Sequence, residues 1–270
     1  MNMEQMQSLI DSVAQLQDHR LRKFGPNRFA ILFKPGTYDL DVYAGYYTQI
    51  SGLGKLPSGV TIRGSVESRQ VRQTALSNFW RSAENMTVEP TNGKNYWVVS
   101  HAAPMRRMHI KGDLGFSKNG YSSGGFLGNS VIDGIITSGS QQQFFTRNST
   151  IGAWENYVWN MVFLGVINAP KEQWPKPPFT TIEKTPLIRE KPFLYVDANN
   201  TYKIFVPALR SNVTGPDWTD GQIKGESIDF KDVYIVKEDV DNSASINKGL
   251  KEGKHLLITR VGIICLKPLR

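Results

Sequence analysis

A chain of 270 residues with 40% hydrophobic and 21% charged side chains has the composition of a folded protein with a sizeable core, enough for one large or two ordinary domains. Its net charge of +8 comes from dispersed basic residues, among them Arg63, Arg69, Arg72, Arg81, Arg106, Arg107 and Lys111, and no nucleic-acid-binding motif accompanies them, so a nucleic-acid partner is not expected. No apolar run approaches the roughly 20 residues that span a bilayer, and the single cysteine, Cys265, excludes an internal disulfide or a cysteine-based zinc site.

The amphipathic stretch from Met6 to Leu16 predicts a helix, and the run RFAILFKPGTYDL (Arg28 to Leu40) predicts strands around a Pro-Gly-Thr-Tyr turn. Short β-compatible segments follow, including YYTQISGLG, GVTIRGSVE, ENMTVEP, MRRMHIKGDLGFS and WNMVFLGVINA, with Gly, Asn and Pro between them. Comparable positions recur every 20 to 25 residues or so, about one coil of a β-helix. Alternation predicts Val131, Asp133 and Ile135 on an inward face, and likewise Met108, Ile110 and Gly112. Ser68 to Trp80 predicts a helical turn inserted between coils. Ala169 to Pro192, rich in Pro and Lys, predicts an excursion over the surface and no ladder strand. PFLYVDANNTYKIFVPAL predicts a hairpin with Asn199 and Asn200 at its tip, and a linker from about Ser211 to Gly225 leads to DFKDVYIVK.

Ala244 to Gly253 followed by KHLLIT repeats the helix-then-strand opening of the chain. A helix in that place caps the open end of a coil, which otherwise exposes its core and its edge. The expected fold is all-β, a right-handed parallel β-helix with a short N-terminal capping helix. Residues 1–225 make the first β-helix domain, and 226–270 make a linker strand and the truncated start of a second unit. A β-sandwich is the rival fold, though it needs no end helix.

RFAILFKPGTYDL, with YYTQISGLG and GVTIRG, resembles the first coils of pectate-lyase-like β-helix proteins. The block SSGGFLGNSVIDGIITSGSQQQFFTRNS, with WNMVFLGVINAP and REKPFLYVD, is similar to a bacterial and fungal group related to the double-β-helix β-1,3-glucanases of glycoside hydrolase family 55 and to α-1,3-glucanases. This resemblance runs nearly to Thr259 and is most specific from SGSQQQ to RNS. It implies a glycoside hydrolase-like protein that degrades a glucan held in a groove on the β-helix, with a polysaccharide or oligosaccharide as partner. The pattern departs at both ends. Met1 stands where relatives are already inside a longer region, and Arg260 to Cys265 follows LLIT where relatives carry Pro-Gly and an aromatic. Catalytic acids lie largely in the later portion of such enzymes, so the alternative is a non-catalytic carbohydrate-binding or structural β-helix. Polysaccharide lyase action is a third reading, without a compact Asp cluster for calcium.

Glycoside hydrolysis uses two carboxylates, about 5–5.5 Å apart for retention or about 6.5–9.5 Å for inversion. Asp113, Asp133, Glu155 and Glu190 are the candidates, with Asp133 and Glu155 expected to be catalytic. Asp133 lies among apolar neighbours, and Glu155 lies between Trp154 and Tyr157. Trp154, Trp159, Gln142, Arg147 and Glu190 are the expected substrate-binding residues. The structural readings take precedence: each acid as a capping or turn carboxylate, Gln141 to Gln143 and Asn148 as an internal polar ladder, and Arg147 and Arg189 as ion-pair partners of Glu155 and Glu190. His19, His101, His109 and His255 lack the spacing of a zinc enzyme, and neither a phosphate loop nor a nucleophile elbow is present, so no metal or cofactor is expected. The sequons at Asn85, Asn148, Asn199 and Asn212 point weakly to secretion, no signal-like segment opens the chain, and the compartment stays open. An unfinished second unit leaves an open edge, which predicts homodimerisation through that end.

Overall fold

In the computed structural model, which describes residues 2–18, 20–68, 76–118, 120–259 and 262–268, helix α1 (Met3–Asp18) precedes strands β1 (Phe29–Phe33), β2 (Gly36–Tyr43), β3 (Thr48–Gly52) and β4 (Val60–Glu67). Next come β5 (Arg81–Pro90), β6 (Lys94–Tyr96), β7 (Met105–Ile110), β8 (Asp113–Gly115) and β9 (Phe126–Gly128). They are followed by β10 (Val131–Thr137), β11 (Gln143–Arg147), β12 (Thr150–Glu155), β13 (Asn160–Leu164) and β14 (Phe179–Ile182). A surface segment carries β15 (Thr185–Ile188), β16 (Phe193–Val196), β17 (Tyr202–Pro207), β18 (Arg210–Val213) and β19 (Gly225–Asp229). Last are β20 (Val233–Lys237), helix α2 (Ser243–Lys251), β21 (His255–Thr259) and β22 (Gly262–Leu266).

Fifteen of these strands form one wrapped parallel sheet, a β-helix as the sequence predicts. Its first face runs β14-β13-β11-β9-β7-β5-β3-β1-β22. The second is built from β2, β4, the later parts of β5 and β7, then β10 and β12. Register stacks Ile31, Ile50, Ala83, Met105, Leu127, Thr146 and Phe163 through the first face. Ile62, Val88, Ile110, Ile132 and Ile151 stack through the second. All twelve are at most 1% exposed. Burial of each aliphatic side chain stabilises the coil by about 1.5–3 kcal/mol, so the two columns together hold the wrap closed.

Helix α1 buries Met6, Ile10 and Val13 against the end of this core. Its polar side does as much. The Gln7 amide donates to Asp41 O at 2.8 Å and accepts from Asp41 N at 3.0 Å, copying the pairing of a neighbouring strand. Gln17 likewise donates to Tyr46 O at 2.6 Å. Backbone groups at an open sheet end need such partners.

Three local expectations change. In VIDGII the inward residues are Ile132 and Ile136, while Asp133 and Ile135 face outward. A register shift between Ile132 and Ile135 moves the phase, and apolar residues on both sides of it hide the shift in the sequence. Within the Ala169 to Pro192 excursion, Phe179–Ile182 does join the ladder as β14, beside β13. The strand itself contains no proline, with Pro177 and Pro178 just before it, so the backbone donors of Phe179 to Ile182 are free to pair. The helical turn read over Ser68 to Trp80 falls mostly on residues 69–75, outside the described residues.

The hairpin of β16 and β17 turns at 197–201, where Asp197 Oδ1 accepts from Asn199 N and Thr201 N. At the C-terminal end, β20 and β21 pair in parallel across α2, whose Asn242 cap forms a capping box with Ser245. Strand β22 pairs with β1.

Candidate functional site

Outward side chains on the first face line a groove, because inward positions are taken by the stacked core. Residues in left-handed backbone mark both its flanks. On one side are Tyr47, Trp80, Ala102 and Gly124, at φ between 52 and 70 degrees. On the other are Asn85, Arg107, Asn129, Asn148 and Gly165, at φ between 45 and 61 degrees. Asn and Gly adopt this conformation readily, whereas Tyr, Trp and Arg do so at a cost of about 1–3 kcal/mol each. The first column is braced by ring contacts. Tyr47 stacks on Trp80 at 4.9 Å, and the Arg28 guanidinium lies 3.4 Å over Tyr47.

Along the groove floor a cavity of about 500 Å³ meets one of about 380 Å³ at Ala102, Pro104 and Arg106. Phe126 carries the guanidinium of Arg106 at 4.5 Å and that of Arg147 at 5.5 Å. Gly128 permits this, since a Cβ there would lie 2.7 Å from the Phe126 ring.

Three ion pairs tie the surface segment to the sheet. Lys191 donates to Glu84 at 2.7 Å, Arg147 to Glu190 at 2.6 Å, and Arg107 to Asp217 at 3.1 Å. Arg210 stands 3.9 Å from Glu190. Burial pushes the Glu190 carboxyl above the ordinary carboxylate range, against the opposing pull of Arg147. Burial also lowers Arg107 to about 10, so it stays charged at neutral pH. Held in these pairs, Glu84 and Glu190 act as struts that position the groove wall.

The structure brings together Arg147 and Glu190 among the residues singled out from the sequence. Asp133 and Glu155 lie on the second face, on neighbouring strands. Glu155 is opposite Thr137, beyond the register shift that holds Asp133. Asp133 is half exposed and meets His109 Nε2 at 3.0 Å. Asp113 accepts from Ile135 N at 2.8 Å, a bend-fixing role. Trp154 packs its ring on Phe144 and Phe163 and donates to Asn156 O. Trp159 is 59% exposed beside the groove residue Asn160. Gln142 accepts from Ser123 Oγ, Gln141 is wholly buried and bonds Val99 O, and Gln143 lines the larger cavity. Asn148 is buried and accepts from Thr185 Oγ1, and Asn85 is buried too, which seals both sequons from solvent. Arg189 is exposed.

Sequence reasoning passed over Arg106, Phe126, Phe145 and Asn160. Their signal is alternation: each adjoins a buried residue, Met105, Leu127, Phe144 or Met161.

No family model matches the chain. The chain is 46% identical over 259 residues, 94% of its length, to an exo-β-1,3-glucanase of Streptomyces sp. strain SirexAA-E / ActE, and covers 42% of that protein. The structure of sacteLam55A from Streptomyces sp. SirexAA-E superposes with a TM-score of 0.90 at 46% identity, over 93% of this chain and 46% of that one. A variant of sacteLam55A in complex with glucose gives 0.91 at 45% identity, over 96% of this chain and 47% of that one. The chain thus spans less than half the length of the proteins it matches. It is a parallel β-helix, similar along nearly its whole length to an exo-β-1,3-glucanase.

Proposed function

We propose that this chain is a carbohydrate-active β-helix, related to glucan-degrading hydrolases, which holds a glucan in the groove outside its first face. The reading is carried by 46% identity, through 94% of the chain, to an exo-β-1,3-glucanase. The groove supports it, since aromatic faces and amide groups at Phe126, Phe145, Gln143 and Asn160 suit sugar rings and hydroxyls. The test pairs affinity electrophoresis in laminarin with reducing-sugar release from β-1,3-, α-1,3- and mixed-linkage glucans and pectin. Retardation by laminarin is expected, with any release confined to β-1,3-linked substrate. Neither retardation nor release would overturn the reading.

Binding without turnover is the second reading, favoured by one observation: neither Asp133 nor Glu155 lines the two cavities of the groove. Asp133→Asn and Glu155→Gln test each acid singly. Release lost in a folded variant supports that acid, and unchanged release removes it. Homodimerisation through the C-terminal strand edge is checked by sedimentation, where a strict monomer at high concentration counts against it.

A further inference from the structure

The six tryptophans of the chain fall into two groups by what their rings do. The indole N–H groups of Trp97, Trp154 and Trp218 donate to backbone oxygens of Ala103, Asn156 and Asn129, and Trp80 is stacked on Tyr47. Trp159 and Trp174 differ. They are 59% and 64% exposed, and among the described residues neither has a ring contact, a cation over its face or a hydrogen bond from its indole N–H. An exposed indole leaves a large apolar face in water and a donor without a protein acceptor, which is why Trp gathers at surfaces that meet a partner.

Both stand at one mouth of the groove, ahead of neighbouring strands. Trp159 N and Asn160 N donate to Gln142 O at 2.9 and 3.1 Å, which fixes Trp159 beside Gln143 and Asn160 of the larger cavity. On the next rung, Gln173 and Phe179 exchange backbone bonds at 2.9 and 3.1 Å and close the loop that carries Trp174. Met161 N donates to Pro178 O at 3.0 Å, tying that loop to β13, and Tyr157 sets its ring edge-on to Phe179 at 5.6 Å, joining the two turns. The backbones are held while the indole faces are free, so a ligand can be received without first ordering the chain.

Size and chemistry select the occupant. An indole offers at most about 150–250 Å², so two of them, partly covered, present far less than the roughly 800 Å² that each partner of a stable protein complex buries. A flat apolar ring with one donor at its edge matches a pyranose instead, whose C–H face is apolar and whose rim carries hydroxyl acceptors.

We propose that Trp159 and Trp174 form an aromatic platform at the mouth of the groove, on which further glucosyl units of a bound glucan stack, so that the site favours long chains over short ones. The inference rests on the groove reading above in taking the ligand as a glucan. It goes beyond that reading in placing binding outside both cavities, which neither tryptophan lines, and in making affinity depend on chain length.

Titration calorimetry of the whole chain would compare a β-1,3-linked glucose trisaccharide with the corresponding hexasaccharide. The hexasaccharide is expected to bind about tenfold more tightly, the scale of one or two aromatic contacts. Trp159→Ala combined with Trp174→Ala should bring the affinity ratio to about one and leave trisaccharide binding within about threefold. Trp159→Phe combined with Trp174→Phe, which keeps the flat faces and loses the donors, should retain a reduced preference. A preference that survives the double alanine exchange would overturn the proposal. So would sedimentation in which that exchange abolishes a dimer of the unmodified chain, because the indoles would then be covered by a second copy. Equal affinities for the two sugars in the unmodified chain sink the platform alone, whereas no binding of either sinks the groove reading with it. The comparison in the unmodified chain decides the matter even where a variant fails to fold.

Discussion

The two faces of this β-helix share one core and differ in what stands outside it. On the second face, Arg63, Glu89 and Lys111 pair across successive strands with side chains 35–58% exposed, and His109 meets Asp133 nearby. On the first face, the charges are roofed by the segment that carries β15 to β19. Two of its pairs are drier: Arg107 and Asp217 are 5% and 7% exposed, and Arg147 and Glu190 are 21% and 3% exposed. Water screens the outer pairs of the second face, whereas those of the first hold a wall over a groove. The same chemical units therefore serve solubility on one side and construction on the other.

Breaking this contrast should have its largest effect at Asp217. Asp217→Ala leaves Arg107 buried without its counter-charge and removes the acceptor of Asn129 Nδ2. A loss of about 3–5 kcal/mol is expected in urea unfolding.

Glu190 provides a smaller effect with a definite sign. Its folded pKa is raised, so above the ordinary value of 4.5 the folded chain binds more protons at this site than the unfolded one. Stability contributed here is highest below that value and declines as pH rises through the window up to the raised pKa. Glu190→Gln should flatten this segment of the midpoint-against-pH curve. An unchanged slope would show that Arg147 fully offsets the burial.

At the other extreme, Lys111→Ala removes an exposed partner of Glu89 and should change stability by about 0–1 kcal/mol, less at high salt. A loss as large as that at Asp217 would erase the distinction between the faces.

How far the sequence reveals these faces depends on distance along the chain. Coil length and the capping helix are legible, because turn residues and an amphipathic pattern are local signals. Met108 and Ile110 are inward as their alternation implies. The VIDGII phase is not legible, since a shift of register between apolar residues leaves no mark on their order. The groove is harder still. Arg107 meets a residue 110 positions later and Arg147 one 43 later, and nothing in either neighbourhood names its partner. Arg106 and Asn160 become candidates only once stacking sets them on one cavity.

Arg107 shows how a repetitive architecture admits something that does not repeat. Its column is otherwise Asn or Gly, the residues that turn each coil most cheaply. One rung carries a side chain long enough to reach Asp217, the backbone oxygen of Lys55 and Asn85 at once. A single exchange in a monotonous ladder becomes a mooring point for an inserted segment. Solenoids can thus acquire new surface by altering one rung, with every other turn of the coil left as it was.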